Sequence, residues 1–444
     1  MTPQAVPEEF ATAPIPVLLK RPTWRETFAV LRVRNYRYYV IFQFLANTAN
    51  WAMRIAIDWL VFELTNSVAL VGVTTFLMFG PMLVLGPVGG VIADRYPTRR
   101  LLVITQGINT LACALLAVLA IAGVIELYQV FGVALIIGLL SVVDGPARSV
   151  FVQEMVGHSR IGNAIAINAA IFHLGGLIGP AISGVLIAVF GAGWAIATSA
   201  VAAALFVLAV LMMRKEELLP TVTVRREKGQ IGQALRYMQN KPTIFWPTLM
   251  LGFVATFGMN LPVMLVAFAD YEFKSGSSGY GLYSAIAAFG AFLGSLVSAR
   301  RVSYRLRSLM LAAGCFGLTV AVTGIAPLLS VFLICLFGIG FVRLFFTATS
   351  EAIVQMSSNR AIRGRVMAIF AMVSLGGQAI GGPFMGWVIE QLGVRLTTVI
   401  FGIVPTITAV VIAILLAKSG KLRLRFKLRR HIIPLTVEIR GNLG

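Results

Sequence analysis

Gly86-Pro87-Val88-Gly89-Gly90-Val91-Ile92-Ala93-Asp94-Arg95-Tyr96-Pro97-Thr98-Arg99-Arg100 is the stretch on which the fold turns. An apolar run stops at an acid, a turn carries Pro97, and a basic cluster precedes the next apolar run. The flanking runs, 68–93 and 100–122, have roughly the 20-residue length that crosses about 30 Å of hydrocarbon. The stretch is therefore read as a short hinge between two membrane spans.

Working outward, ten further runs of that length can be drawn, at 37–62, 129–150, 163–189, 194–213, 244–268, 279–299, 308–327, 329–349, 365–390 and 395–417. The composition agrees: 58% of residues are hydrophobic, 12% are charged and the mean hydropathy is +0.88, far from the balance of soluble domains. The formal charge of +20 raises nucleic acid as a partner, but its distribution argues against that. With twelve spans both chain ends lie on one side. Of the 37 Lys and Arg, all fall there except Lys274 and Arg395 on the other side and Arg54 and Arg343 within spans. Basic residues gather on the cytoplasmic side of membrane proteins, so both termini are expected there. The tail from Lys418 is expected beside anionic lipid headgroups. Three cysteines lie in apolar runs without metal or disulfide spacing, and three histidines are scattered, so no metal or other cofactor is expected. Nothing in residues 1–35 has the pattern of a cleaved signal, leaving the first span to direct insertion.

The hinge, with Gly90 four residues before Asp94-Arg95 and with Arg99 and Arg100 following, resembles the loop between helices 2 and 3 of the major facilitator superfamily of secondary transporters. Residues 29–37 and 47–61, Asp144-Gly145-Pro146-Ala147-Arg148, Gly258-Met259-Asn260-Leu261-Pro262-Val263, Ser278-Gly279-Tyr280-Gly281-Leu282 and Arg363-Gly364-Arg365-Val366-Met367 resemble its enterobactin-exporter-like and macrolide-efflux-like branch. The resemblance implies an all-α integral membrane protein of twelve transmembrane helices in two pseudo-symmetric six-helix halves. The expected division is 1–36, an N-terminal segment with an interfacial stretch; 37–213, the first half; 214–243, a cytoplasmic linker; 244–417, the second half; and 418–444, a basic tail. A weak internal repeat supports it: Gly175, Gly179, Gly184 and Gly191 recur as Gly377, Gly381, Gly386 and Gly393.

In that superfamily the hinge charges form an inner gate. The resemblance assigns to it Gly90, Asp94, Arg95, Arg99, Arg100, Asp144, Arg148, Arg363 and Arg365, with Asp94 facing the start of span 11 near Gly364 and Arg365. Gly175, Gly179, Pro180 and Gly184 resemble the antiporter motif of drug-export branches. They are expected to seal span 5 against span 8 at Gly290 and Gly294.

Ionisable groups inside the membrane are costly and read as functional by default. Arg54 and Asp58, four apart on one helix face, can pair with each other, and with His173 they are the coupling candidates. Asn47, Asn50, Trp51, Asn109, Asn260, Phe257, Arg343 and Gln378 are the cavity candidates, a mixed lining that suits a bulky amphipathic solute. The partner of Arg343 is either Glu351 or a residue of another span. No phosphate-binding loop of an ATP-driven pump is present, and no catalytic constellation. The expected function is export of a small organic molecule, of the drug, macrolide or siderophore kind, across the cytoplasmic membrane. It would proceed by alternating access in a monomer, with protons as the counter-ion. An importer of the same fold, or a transporter-fold sensor, is the alternative.

Overall fold

The computed structural model describes residues 28–157, 160–219, 230–299, 306–359, 362–418, 423–426 and 435–438. Its helices follow the apolar runs. Span 1 is Arg34–Thr65, span 2 Val68–Arg95, span 3 Thr98–Ile121, span 4 Leu127–Val156, span 5 Ile161–Phe190 and span 6 Ala192–Met212. Span 7 is Pro242–Glu272, span 8 Gly276–Ala299, span 9 Leu306–Gly324, span 10 Leu329–Ser357, span 11 Arg363–Leu392 and span 12 Val394–Lys418. Among the described residues eleven helices are long and apolar enough to cross a membrane. Span 1 is the twelfth by its 32 residues, with its apolar character diluted by Asn47, Asn50, Arg54 and Asp58.

The turns between spans have local causes. Asn66 closes span 1 in the left-handed conformation at φ 51°, and the Ser67 side chain then accepts from the Leu70 N–H to start span 2. Gly191 at φ 89° and Gly393 at φ 80° end spans 5 and 11, where a side chain would be strained. These two glycines are partners in the internal repeat. Span 7 breaks after Gly258 because Pro262 cannot donate to the ladder. Asn260 repairs the break by donating from Nδ2 to the Thr256 carbonyl at 2.9 Å and the Ala255 carbonyl at 3.4 Å, as irregular backbone at membrane depth requires.

Within the first six spans, span 1 lies against spans 5 and 6, span 2 against span 4, and span 3 against spans 4 and 6. Among the last six, span 7 lies against span 11, span 8 against span 10, and span 9 against spans 10 and 12. The two sets join chiefly through span 2 on span 11 and span 5 on span 8. Spans 3, 6, 9 and 12 turn residues such as Leu111, Val201, Leu311 and Ile407 outward. Those apolar surfaces suit lipid. A helix Gln230–Asn240 precedes span 7, and Lys241 Nζ ties this junction to the Ser357 carbonyl at 3.0 Å. The tail, read from sequence only as a basic segment, contains two four-residue strands, Arg423–Phe426 and Leu435–Glu438, paired antiparallel.

Candidate functional site

Spans 1, 3, 4, 5 and 6 enclose a polar cavity of about 390 Å³ whose lining includes Gln43, Asn47, Asn50, Gln106, Asn109 and Asp144. Asp144 is saturated there. Its Oδ1 accepts from Thr105 Oγ1 at 2.9 Å and from Gln106 Nε2 at 2.8 Å, and its Oδ2 accepts from Arg148. Arg148 also donates to Gln43 and lies 4.6 Å from the centre of the Phe206 ring. A carboxylate with three donors, one of them a guanidinium on its own helix, is a fixed anchor for spans 1, 3 and 4. Asn47 Nδ2 donates to the Ile171 carbonyl at 3.0 Å, whereas Asn50 makes no hydrogen bond among the described residues.

Beyond this cavity lies a second group. Asp58 is buried and accepts from the Tyr280 hydroxyl of span 8 at 3.0 Å. The Arg54 guanidinium turns instead onto the rings of Trp51 at 5.0 Å and Phe79 at 4.7 Å. Arg54 and Asp58 share a helix face as expected, but no ion pair forms between them, because each finds a different partner on a neighbouring span. Arg343 of span 10 lies in electrostatic range of both Arg54 and His173. Glu351, named from sequence as a possible partner of Arg343, is exposed and makes no ion pair among the described residues. Trp51 is held edge-on against Phe172, which in turn meets His173.

The end of the bundle opposite the chain ends is closed. Glu390 of span 11 accepts from Ser67 Oγ at 2.6 Å and from the Ala69 N–H at 3.0 Å, so a carboxylate of the last six spans caps the start of span 2. Tyr271 donates to the Asn66 carbonyl at 3.1 Å. Deeper in, a Cβ on Gly184 would sit 2.8 Å from the Gly281 Cα, and one on Gly386 would sit 2.6 Å from the Ala69 Cα. The faces that carry spans 5 and 11 across to the other set are therefore glycine by necessity.

Of the residues read as an inner gate, Asp144 and Arg148 pair with each other on span 4, and no hydrogen bond or ion pair joins them to the other described residues of that reading at the end carrying the chain ends. Arg99 donates from Nε to the Val210 carbonyl at 3.0 Å and from Nη2 to the Leu211 carbonyl at 2.7 Å, capping span 6. Thr98 donates to Glu154 at 2.6 Å. Arg95 and Arg100 are exposed, Gly90 and Arg365 are half-buried, and Arg363 donates to the Ser358 carbonyl at 3.3 Å. The Asp94 side chain lies outside what is described. A Cβ on Gly364 would meet nothing within 4 Å, and no hydrogen bond or ion pair among the described residues joins this hinge to the start of span 11.

Two expectations about packing are corrected. Gly179 meets span 1, where a Cβ would sit 2.5 Å from the Thr48 carbonyl, while span 5 does pack on span 8, through Gly184 and the Pro180 carbonyl of the motif, which lie against Gly281. Gly290 and Gly294 face the Phe337 and Phe341 carbonyls of span 10. The rotation of span 8 decides this: Gly281, near its other end, faces span 5. Besides Trp51 and Arg343, three more cavity candidates sit away from the polar cavity. Asn260 mends span 7. Gln378 donates to the Ser374 carbonyl of its own helix. Phe257 lines an apolar groove of about 460 Å³ among spans 2, 7 and 11 and the helix Gln230–Asn240, stacking edge-on against Phe384 and Phe401. Missed altogether were Glu390, Tyr271 and Tyr280. Tyr280 stood within a quoted motif, but nothing local marked its hydroxyl as reaching span 1.

Comparison with known proteins agrees with this architecture. The chain is 26% identical over 393 residues to the staphyloferrin A transporter of Staphylococcus aureus, spanning 87% of this chain and 98% of that protein. It is 26% identical over 416 residues to the enterobactin exporter EntS of Salmonella typhi, spanning 92% and 98%. In three dimensions it resembles the nucleoside transporter NupG, with a TM-score of 0.69 at 15% identity over 86% of this chain and 98% of that one. It likewise resembles a D-xylose-proton symporter, with a TM-score of 0.68 at 13% identity over 85% and 97%. Residues 25–429 match the family described as transmembrane secretion effector, and the chain belongs to that family, within the major facilitator superfamily of membrane transporters.

Proposed function

We propose that this transporter exports a small organic molecule from the cytoplasm by alternating access, exchanging it for protons. The observation that carries the reading is an interior polar cavity, with charged residues beyond it, in a bundle whose two sets of six spans are bound together at the end away from the chain ends. In the proposed division, 37–213 and 244–417 rock as units about that interior, with 214–243 linking them and 1–36 and 418–444 as flanking segments. The bias of Lys and Arg supports cytoplasmic termini in the cytoplasmic membrane, with anionic lipid at the basic face. The arrangement is then the cytoplasm-open one. Gate closure would bring Asp94 to the first turn of span 11, where free N–H groups and Arg365 favour an anion. Relatives named for a siderophore and for its export support a solute of that general kind. Asp58 is the proposed proton carrier, because a buried carboxylate that trades the Tyr280 hydroxyl for a proton links charge to the far-end contact.

The test is solute uptake into inverted vesicles under an imposed pH gradient, with an ionophore control. Gradient-dependent uptake is expected, and cells lacking the protein should retain more of the solute. Cells that retain less would replace export with import.

A further inference from the structure

Two half-buried arginines of the bundle are held by carboxylates. Arg148 has Asp144, and Arg395 has Glu272 at 2.7 Å together with the Ala326 carbonyl at 2.8 Å. These are structural pairs. Arg54 and Arg343 are different: both are half-buried well inside their helices, yet among the described residues neither has a hydrogen-bond acceptor or a carboxylate within ion-pair distance. Asp58, the acid nearest in charge to Arg54, already holds the Tyr280 hydroxyl. Arg54 and Arg343 instead feel each other, and His173 lies in range of Arg343.

Two like charges kept in a low-dielectric interior without partners repel and lack solvation. Arg148 and Arg395, half-buried like them, are held by carboxylates, and these two are not. They also belong to different sets of six spans, one on span 1 and one on span 10. Beside Arg54 stand Trp51, Phe79 and, one ring further, Phe172.

We infer that Arg54 and Arg343 form a two-sided clamp for an anionic group, so that the transported solute is an amphipathic acid whose apolar body rests on the Trp51, Phe79 and Phe172 rings. This rests on the transport reading above and names the solute class for it. The planar forks of two guanidiniums suit a carboxylate or a comparable oxyanion. An empty clamp holds the two sets of spans apart by repulsion. An anion between them reverses the sign of that interaction and draws the sets together, so occupancy itself favours closure at the end carrying the chain ends.

The experiment uses the full chain in lipid nanodiscs, with the fluorescent carboxylate pyrenebutyrate and its uncharged methyl ester, each corrected for binding to empty discs. The carboxylate should bind about tenfold more tightly than the ester, the size of one charged hydrogen-bonded contact. Arg54→Gln and Arg343→Gln should each remove roughly that factor for the carboxylate and leave the ester unchanged, while Arg343→Lys should keep part of the preference. Ester binding reports that each variant is folded, and if one glutamine variant fails to insert, the Gln and Lys variants at the other position decide. Equal binding of the two probes, or a preference that survives both glutamine substitutions together, overturns the clamp. Gradient-driven movement of the ester in vesicles is read separately. If it persists while the preference is absent, the clamp falls and the exporter reading stands; if the preference is present with no gradient-driven movement of either probe, the exporter reading falls and the clamp stands.

Discussion

At the scale of single residues, the buried charges divide by their partners. Asp144 and Arg148 satisfy each other and draw in Thr105, Gln106 and Gln43. Asp144→Ala leaves the Arg148 guanidinium among apolar neighbours such as Phe206, and breaking a buried pair in this way costs about 3–5 kcal/mol. Thermal unfolding of the purified protein should fall by several degrees, with the solute site damaged only secondarily. Among the described residues Asp58 has a single hydrogen bond, from Tyr280. Asp58→Asn keeps the shape and can still accept that bond, but cannot take up and release a proton. Gradient-driven transport should be lost while solute binding persists, a split that flux and equilibrium binding measure on the same sample. Equal loss of both would make Asp58 structural.

At the scale of helices, the internal repeat is visible as packing. Gly175 and Gly179 admit span 1, as Gly377 and Gly381 admit span 7, and Gly184 meets span 8 as Gly386 meets span 2. Each motif therefore spends its first two glycines within its own set of spans and its third on the crossing to the other. The two kinds of position should respond differently. Gly281→Leu, or Gly184→Leu, forces spans 5 and 8 apart at the crossing and should cut transport with the protein still inserted and near its normal melting temperature. Gly179→Leu drives a side chain into the Thr48 carbonyl, and overpacking of this kind typically costs 1–3 kcal/mol. It should lower the melting temperature first, as a comparison of melting and flux across the three variants would reveal.

At the scale of the whole molecule, the conformation is set by which end holds the two sets of spans together. Here that end carries Glu390 on Ser67 and Ala69, Tyr271 on Asn66, and the glycine crossings. Glu390→Gln removes the charge from that cap. Hydrogen bonds to charged groups contribute roughly 1.5–3 kcal/mol, so the state open at that end should become about tenfold more populated. Thr75→Cys, buried beneath the crossing, reports on it in a chain whose native cysteines are replaced by serine. Its modification by a membrane-impermeant maleimide applied from that side should accelerate in the Glu390→Gln background. An unchanged rate would deny Glu390 a gating role.

Much of this was legible in the residues themselves. Span length, the basic asymmetry and the recurrence of Gly175, Gly179, Gly184 and Gly191 as Gly377, Gly381, Gly386 and Gly393 depend on residue type and spacing, which a linear chain displays. So do the family motifs and the few charges inside spans. What the chain could not display is which faces meet. Helix rotation and tilt bring Glu390 to Ser67 and Tyr280 to Asp58 across more than 200 positions, turn Arg54 away from Asp58 onto two rings, and send Gly179 to span 1 and Gly290 to span 10. The tertiary structure alone decided these contacts, because a helix offers a partner on every side and only the packing of all twelve selects one.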